Sequence, residues 1–130
     1  MTVEEMKDVP AGCFVFPISN EKSAPNFQCG EFAVIDANDR DPVFGQLYVI
    51  EYPPSGIRFE PYRKIVEVCR FGNSTLLDGS PAYHVASAAR DQHIPGHGMC
   101  RMLDGAYDRD GLRSRLIGRV IGRLARPAQP

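Results

Sequence analysis

Cysteine is scarce in this 130-residue chain and scattered where it occurs: four residues, at 13, 29, 69 and 100, no two of them in a Cys-x-x-Cys pair. That spacing suits neither a zinc knuckle nor a disulfide-dense secreted module, and it reads as free thiols of an intracellular protein. Long apolar runs are missing too. No stretch approaches the roughly 18 residues that a membrane-spanning helix needs, and the opening "MTVEEMKDVPAG" is acidic with no apolar core, unlike a secretory signal. These absences point to a cytoplasmic protein without a membrane partner. Charge of one sign is not in excess either: 15 Lys+Arg against 16 Asp+Glu leave a net charge of −1, which gives no global field toward nucleic acid or membrane. There is no phosphate loop, dinucleotide fingerprint, internal repeat or low-complexity tract. The twelve residues ahead of the first apolar strand are too few for a helix-turn-helix.

What is present is ordinary globular composition, 43% apolar and 24% charged, in a length that can bury a core without staples. Eleven Pro and twelve Gly punctuate short apolar segments, the pattern of a mostly β domain rich in turns. Residues 1–11 read as a tail and 12–130 as a single domain. Strands are expected at "GCFVFPIS" (12–19), "EFAVID" (31–36), "GQLYVIEY" (45–52), "STLLDG" (74–79) and "AYHVAS" (82–87). A longer one, "IRFEPYRKIVEVCRF" (57–71), is interrupted at Pro61, which suggests a bulge or a sheet edge. Residues 88–111, rich in Gly, Asp and His, read as a loop insertion. The final "GLRSRLIGRVIGRLARP" is ambiguous. Its apolar residues recur at helical spacing, while Gly118 and Gly122 weaken a helix by about 1 kcal/mol each.

Three groups of residues carry possible chemistry. His93, His97 and Cys100, with Asp91 nearby, are zinc-ligand types, but Pro95, Gly96 and Gly98 preclude the helix that would align the two histidines. A loop with incidental ligands is the better reading, and neither metal nor cofactor is expected. Ala11-Gly12 is small enough to be a self-cleavage point and equally reads as a turn before a strand. Ser23, on a turn, and Lys64, on the long strand, could form a dyad in which a neutral amine takes the proton of a Ser nucleophile. A surface Ser and a solvent-facing Lys are the default against which that stands.

Taken in order, the segments resemble the LexA/UmuD-type self-cleaving peptidase domain, whose fold is also the core of signal peptidases. In "FVFPISNEKSAPNFQCGEFAVID", Pro25 matches the family proline, Gly30-Glu31 stands for its Gly-Asp, and Asp36 closes the strand. "IRFEPYRKIVEV" resembles the strand that carries the catalytic Lys, "LLDGSPAY" the later Asn-Pro-x-Tyr stretch, and "LIGRVIGRLARP" the terminal strand. The resemblance covers roughly 12–126 and makes 116–124 a strand. It implies a compact, strongly bent β fold with few short helices. It also implies a defect: the aligned nucleophile position holds Lys22 and the aligned base position holds Arg63. A guanidinium stays protonated and cannot accept a proton. Shifting both positions by one gives Ser23 and Lys64, but on a strand a one-residue shift changes the face unless a bulge restores it.

The function that follows is a non-catalytic dimerisation or interaction module, as a homodimer or with a related repressor or other protein, in an SOS-type stress response or a phage-repressor setting. The alternative is an active Ser/Lys self-processing peptidase. A third reading uses the seven Arg of 101–130 for salt-sensitive nucleic-acid contact. No aromatic platform interleaves with them, so direct nucleic-acid binding is not expected.

Overall fold

The computed structural model describes residues 3–18, 27–57, 59–87, 92–94, 98–100 and 103–124. The chain is mostly β. The strands are β1 (Cys13–Pro17), β2 (Phe32–Asp36), β3 (Leu47–Tyr52), β4 (Tyr62–Cys69), β5 (Tyr83–Ser87), β6 (Gln92–Ile94), β7 (Gly98–Cys100), β8 (Leu103–Tyr107) and β9 (Leu116–Leu124), with a single helix among the described residues, α1 (Arg109–Arg115). Seven strands form one antiparallel sheet in the order β1-β2-β9-β3-β4-β5-β8, and β6 and β7 form a separate ribbon.

The sheet is buried on both faces, which explains why "LYVI" of β3 is apolar without alternation. Leu47 and Val49 point into one cluster with Ile18, Phe27, Ala33, Ile35 and Ile65. Tyr48 and Ile50 point into the other, with Val66, Val68, Val85, Leu112 and Leu116. The period of two along β4 follows suit: Ile65 joins the first cluster, Val66 and Val68 the second. Helix α1 covers the second cluster through the fully buried Leu112. Asp108 caps its start by accepting from the Gly111 N–H at 2.5 Å, and it stops where Leu116 turns extended.

Four expectations are corrected. The β4 ladder with β3 runs unbroken from Tyr62 to Glu67 and begins after Pro61, so the proline precedes the strand rather than bulging it. "STLLDG" is not a strand. Leu77 is fully exposed at the tip of a turn closed by Leu76 N–H to the Ser80 carbonyl (2.8 Å) and by the Asp78 carboxylate, which accepts from Ser80 N–H (2.9 Å); apolar Leu76-Leu77 mimicked a strand. Residues 103–107, expected in a loop, are β8, an edge strand paired to β5. Residues 109–115 form a helix, so 109–111 leave the expected loop, and the helical spacing that begins at Leu112 holds for this first stretch of the final segment. The strand at 116–124 is as the resemblance implied, and the helical spacing there misleads for a structural reason: the register slips on both flanks of β9, opposite Val34/Ile35 and opposite Val49/Ile50.

Candidate functional site

Ser23 and Lys22 lie outside the described residues, which break off after Ile18 and resume at Phe27. Ile18 and Glu31 continue the β1–β2 hairpin, with Ile18 N–H donating to the Glu31 carbonyl (2.9 Å) and Gly30 N–H to the Ile18 carbonyl (2.8 Å). Ile18 and Phe27, both buried, belong to the first cluster. The Glu31 side chain is almost fully buried. One oxygen accepts from Gln28 N–H at 2.6 Å, and the other from Arg123 Nη1 at 2.9 Å. A desolvated carboxylate needs such partners, so Glu31 acts as a clamp between Gln28 and β9.

Arg63 and Lys64 diverge across the sheet. Arg63 stands opposite Glu51 on the face of Ile65 and Val49, and its Nε donates to Glu51 Oε2 at 2.6 Å. Lys64 stands opposite Ile50, on the second-cluster face, with its amine 5.5 Å from the centroid of the Tyr52 ring. No bulge between them turns Lys64 to the face that Arg63 shares with the first cluster.

Around Lys64 lies a group that no local motif announced. Asp104 Oδ2 accepts from Tyr52 OH (2.8 Å) and Tyr107 OH (2.7 Å). Tyr52 is on β3 and Asp104 on β8, with β4 and β5 between them in sheet order, so this bond measures how far the sheet curls. Partial burial pushes the Asp104 carboxyl up, but hydrogen bonds from both phenols and from Gly105 N–H, with the Lys64 charge, outweigh it and hold the carboxyl below its ordinary range. The phenols move the other way. Burial and the bond to Asp104 push Tyr107 up to about 12 and raise Tyr52 further. Arg115 lies 5.8 Å over the Tyr107 ring. Tyrosines this reluctant to ionise hold the curl; they are poor bases and poor nucleophiles.

Among the described residues, four arginines of the C-terminal row pair with carboxylates of the same chain. Arg109 and Arg113 reach Asp41 (3.1 and 3.4 Å), Arg119 reaches Asp39 (3.4 Å) and Arg123 reaches Glu31. The pairs at Asp39 and Asp41 tie the β2–β3 connection to β9 and α1, and the pair at Glu31 ties the residue ahead of β2 to β9. Arg101 and Arg126 lie outside the described residues.

Ala11-Gly12 is an exposed turn closed by Cys13 N–H to the Pro10 carbonyl (3.1 Å). Cys13, Cys29 and Cys69 are not joined in disulfides. His93 and Cys100 fall on the β6–β7 ribbon, with their side chains outside the described set, as are Asp91 and His97. Among the described residues no three His, Cys, Asp or Glu side chains gather as metal ligands would, and no helix is long and apolar enough to cross a membrane. No family model, curated protein or solved structure matches the chain.

Proposed function

We propose that the chain is a catalytically inactive LexA/UmuD-like peptidase-fold domain that works by protein contact, as a homodimer or with a related repressor, in a cytoplasmic stress-response or phage-repression setting. The observation that carries this reading is Arg63. On the face where Ile18 and Phe27, the described residues that flank Ser23 in the chain, pack with Ile65, β4 presents a guanidinium already engaged by Glu51 at 2.6 Å. A permanently charged, ion-paired group cannot serve as the general base that a Ser nucleophile requires. Lys64, the one amine on this strand, faces the opposite side against Tyr52. The mostly β architecture and the strand at Leu116–Leu124 are what the resemblance called for.

Intact mass after prolonged incubation at alkaline pH tests the reading, because deprotonating a lysine is what would start Ser/Lys cleavage. The full-length mass alone is expected. Fragments that disappear in Ser23→Ala would establish the alternative, a self-processing peptidase using Ser23 and Lys64.

A further inference from the structure

The ladder between β4 and β5 ends on a pair of unlike chemistry: Cys69 stands directly opposite His84. Residues paired across a ladder point to the same side of the sheet, with their Cβ atoms about 4.5–5.5 Å apart. Period two places Cys69 on the face of Ile65, which belongs to the first cluster, and away from Val66 and Val68 of the second. His84 alternates in the same way with Val85 of the second cluster. Both members of the pair are half-buried, and Cys69 is in no disulfide.

The imidazole of His84 is fixed by its surroundings. Its ring lies so close to Gly105 of β8 that a Cβ there would stand 2.8 Å from Cδ2 and 3.2 Å from Cγ. The Phe71 ring is tilted against it, with centroids 6.3 Å apart and planes at 56°. Cδ2 and Nδ1 flank Cγ on opposite sides of the ring. Strands β8 and β4 lie on opposite sides of β5. A Cδ2 that faces β8 therefore leaves Nδ1 on the side of β4, where Cys69 is the paired residue. That nitrogen is buried and has no hydrogen-bond partner. An orphaned buried nitrogen calls for an explanation, and a bound ion is one. With the ring proton on Nε2, Nδ1 has a lone pair to give. A sulfur and an imidazole nitrogen side by side are ligands of soft and borderline metals.

We propose that Cys69 Sγ and His84 Nδ1 together bind a soft monovalent metal ion, Cu(I), at the end of the β4–β5 ladder. A metal between a thiolate and an imidazole holds sulfur and nitrogen about 4.3 Å apart, from bonds of about 2.3 and 2.0 Å. Side chains on directly opposed Cβ atoms span that gap. Zinc is the poorer fit. It takes four ligands in structural sites, and among the described residues no third His, Cys, Asp or Glu gathers with this pair. Cu(I) is satisfied by a thiolate and one further ligand in line with it, and thiolates select it. On binding, the sulfur–copper bond forms, the thiol proton passes to solvent, and the copper stays monovalent. The site owes nothing to the interaction-module reading.

Anaerobic titration of Cu(I) against a colorimetric Cu(I) chelator tests it, on the full chain with Cys13, Cys29 and Cys100 replaced by Ser so that Cys69 is the one thiol. Circular dichroism reports the fold. One copper per chain is expected, and X-ray absorption at the copper edge should show one sulfur and one nitrogen neighbour. His84→Gln in the same chain should weaken binding by about tenfold or more, and Cys69→Ser should abolish it. A chain that takes no copper from the chelator, binding that His84→Gln leaves equally tight, or a shell of sulfur alone overturns the proposal. The absorption measurement leaves His84 intact, so it decides the matter where His84→Gln fails to fold. The parent chain and its own Cys69→Ser variant, titrated in the same way, should differ by one copper per chain, and equal uptake overturns the site as well. None of these outcomes bears on the interaction-module reading, which falls only to the cleavage assay.

Discussion

Replacing Arg123 by Met isolates the clamp that joins Glu31 to β9. The substitution keeps an apolar stem and the backbone bonds to Glu4 and Met6, and removes only the guanidinium. Glu31, with 10% of its side chain exposed, then keeps the Gln28 N–H but loses the cation 2.9 Å away. Removing one member of a fully buried pair costs about 3–5 kcal/mol. Arg123 is 32% exposed, so water screens part of the loss, and about 2–3 kcal/mol is the expected effect. Against a total stability of about 5–15 kcal/mol that is large. With a urea slope of about 1.5 kcal/mol per M, the unfolding midpoint should fall by about 1.5 M. Adding Glu31→Gln to the same chain removes the stranded charge and should recover more than half of the shift. A midpoint that moves by less than a fifth of that amount, or a double variant no better than Arg123→Met, would refute the view that the carboxylate is desolvated and dependent on its partner.

Asp104→Asn should cost about 1–2 kcal/mol, since an amide oxygen still accepts one phenol but loses the charge-assisted strength of both bonds; ultraviolet titration should then find Tyr107 ionising below about 12, since burial still raises it but the carboxylate no longer does. The same group sets a pH window. The raised phenols contribute stability that is complete below about pH 10 and is lost as pH climbs toward about 12 for Tyr107. The lowered Asp104 carboxyl contributes above its ordinary value of 3.8 and is lost as pH falls below it, so a denaturation series should show both shoulders and Asp104→Asn should flatten them. Gly118→Ala should destabilise by about 1–3 kcal/mol in thermal unfolding, because its Cβ would press on the Ile35 methyl and sit 2.7 Å from the Asp36 carbonyl oxygen.

The interior strands β2, β3 and β5 were legible because they carry runs of buried apolar side chains, and the edge strand β1 because its short apolar run is bounded by turn residues. β1, β2, β3 and β5 lie inside the segments read from composition, and β4 fills the apolar half of its segment. β8 was hidden because "LDGAY" has an exposed Leu103 at its head and is held by one polar side chain and a sheet edge rather than by apolar periodicity. β9 was hidden by its own irregularity. Ile121 is the extra residue opposite Val34/Ile35, so its apolar positions fall out of period two and imitate a helix. Of the site, Arg63 and Lys64 were found by order along the chain, and their divergence followed from strand parity. The bond between Tyr52 and Asp104 spans 52 residues, and Glu31 meets Arg123 across 92; such meetings depend on the curl of the sheet and leave no mark on the local sequence.

The place of β9 between β2 and β3 also governs the order in which the sheet can be assembled. Hairpin β1–β2 and the run β3–β4–β5 each close between neighbours along the chain, so each can form early as an independent piece. Their union waits for a strand that is translated after both. Until then two apolar edges, Ala33–Ile35 and Tyr48–Ile50, stand open, and open edges of that kind recruit other chains. Folding should therefore be slow and concentration-sensitive during synthesis, with β9 as the keystone whose arrival ends the exposure.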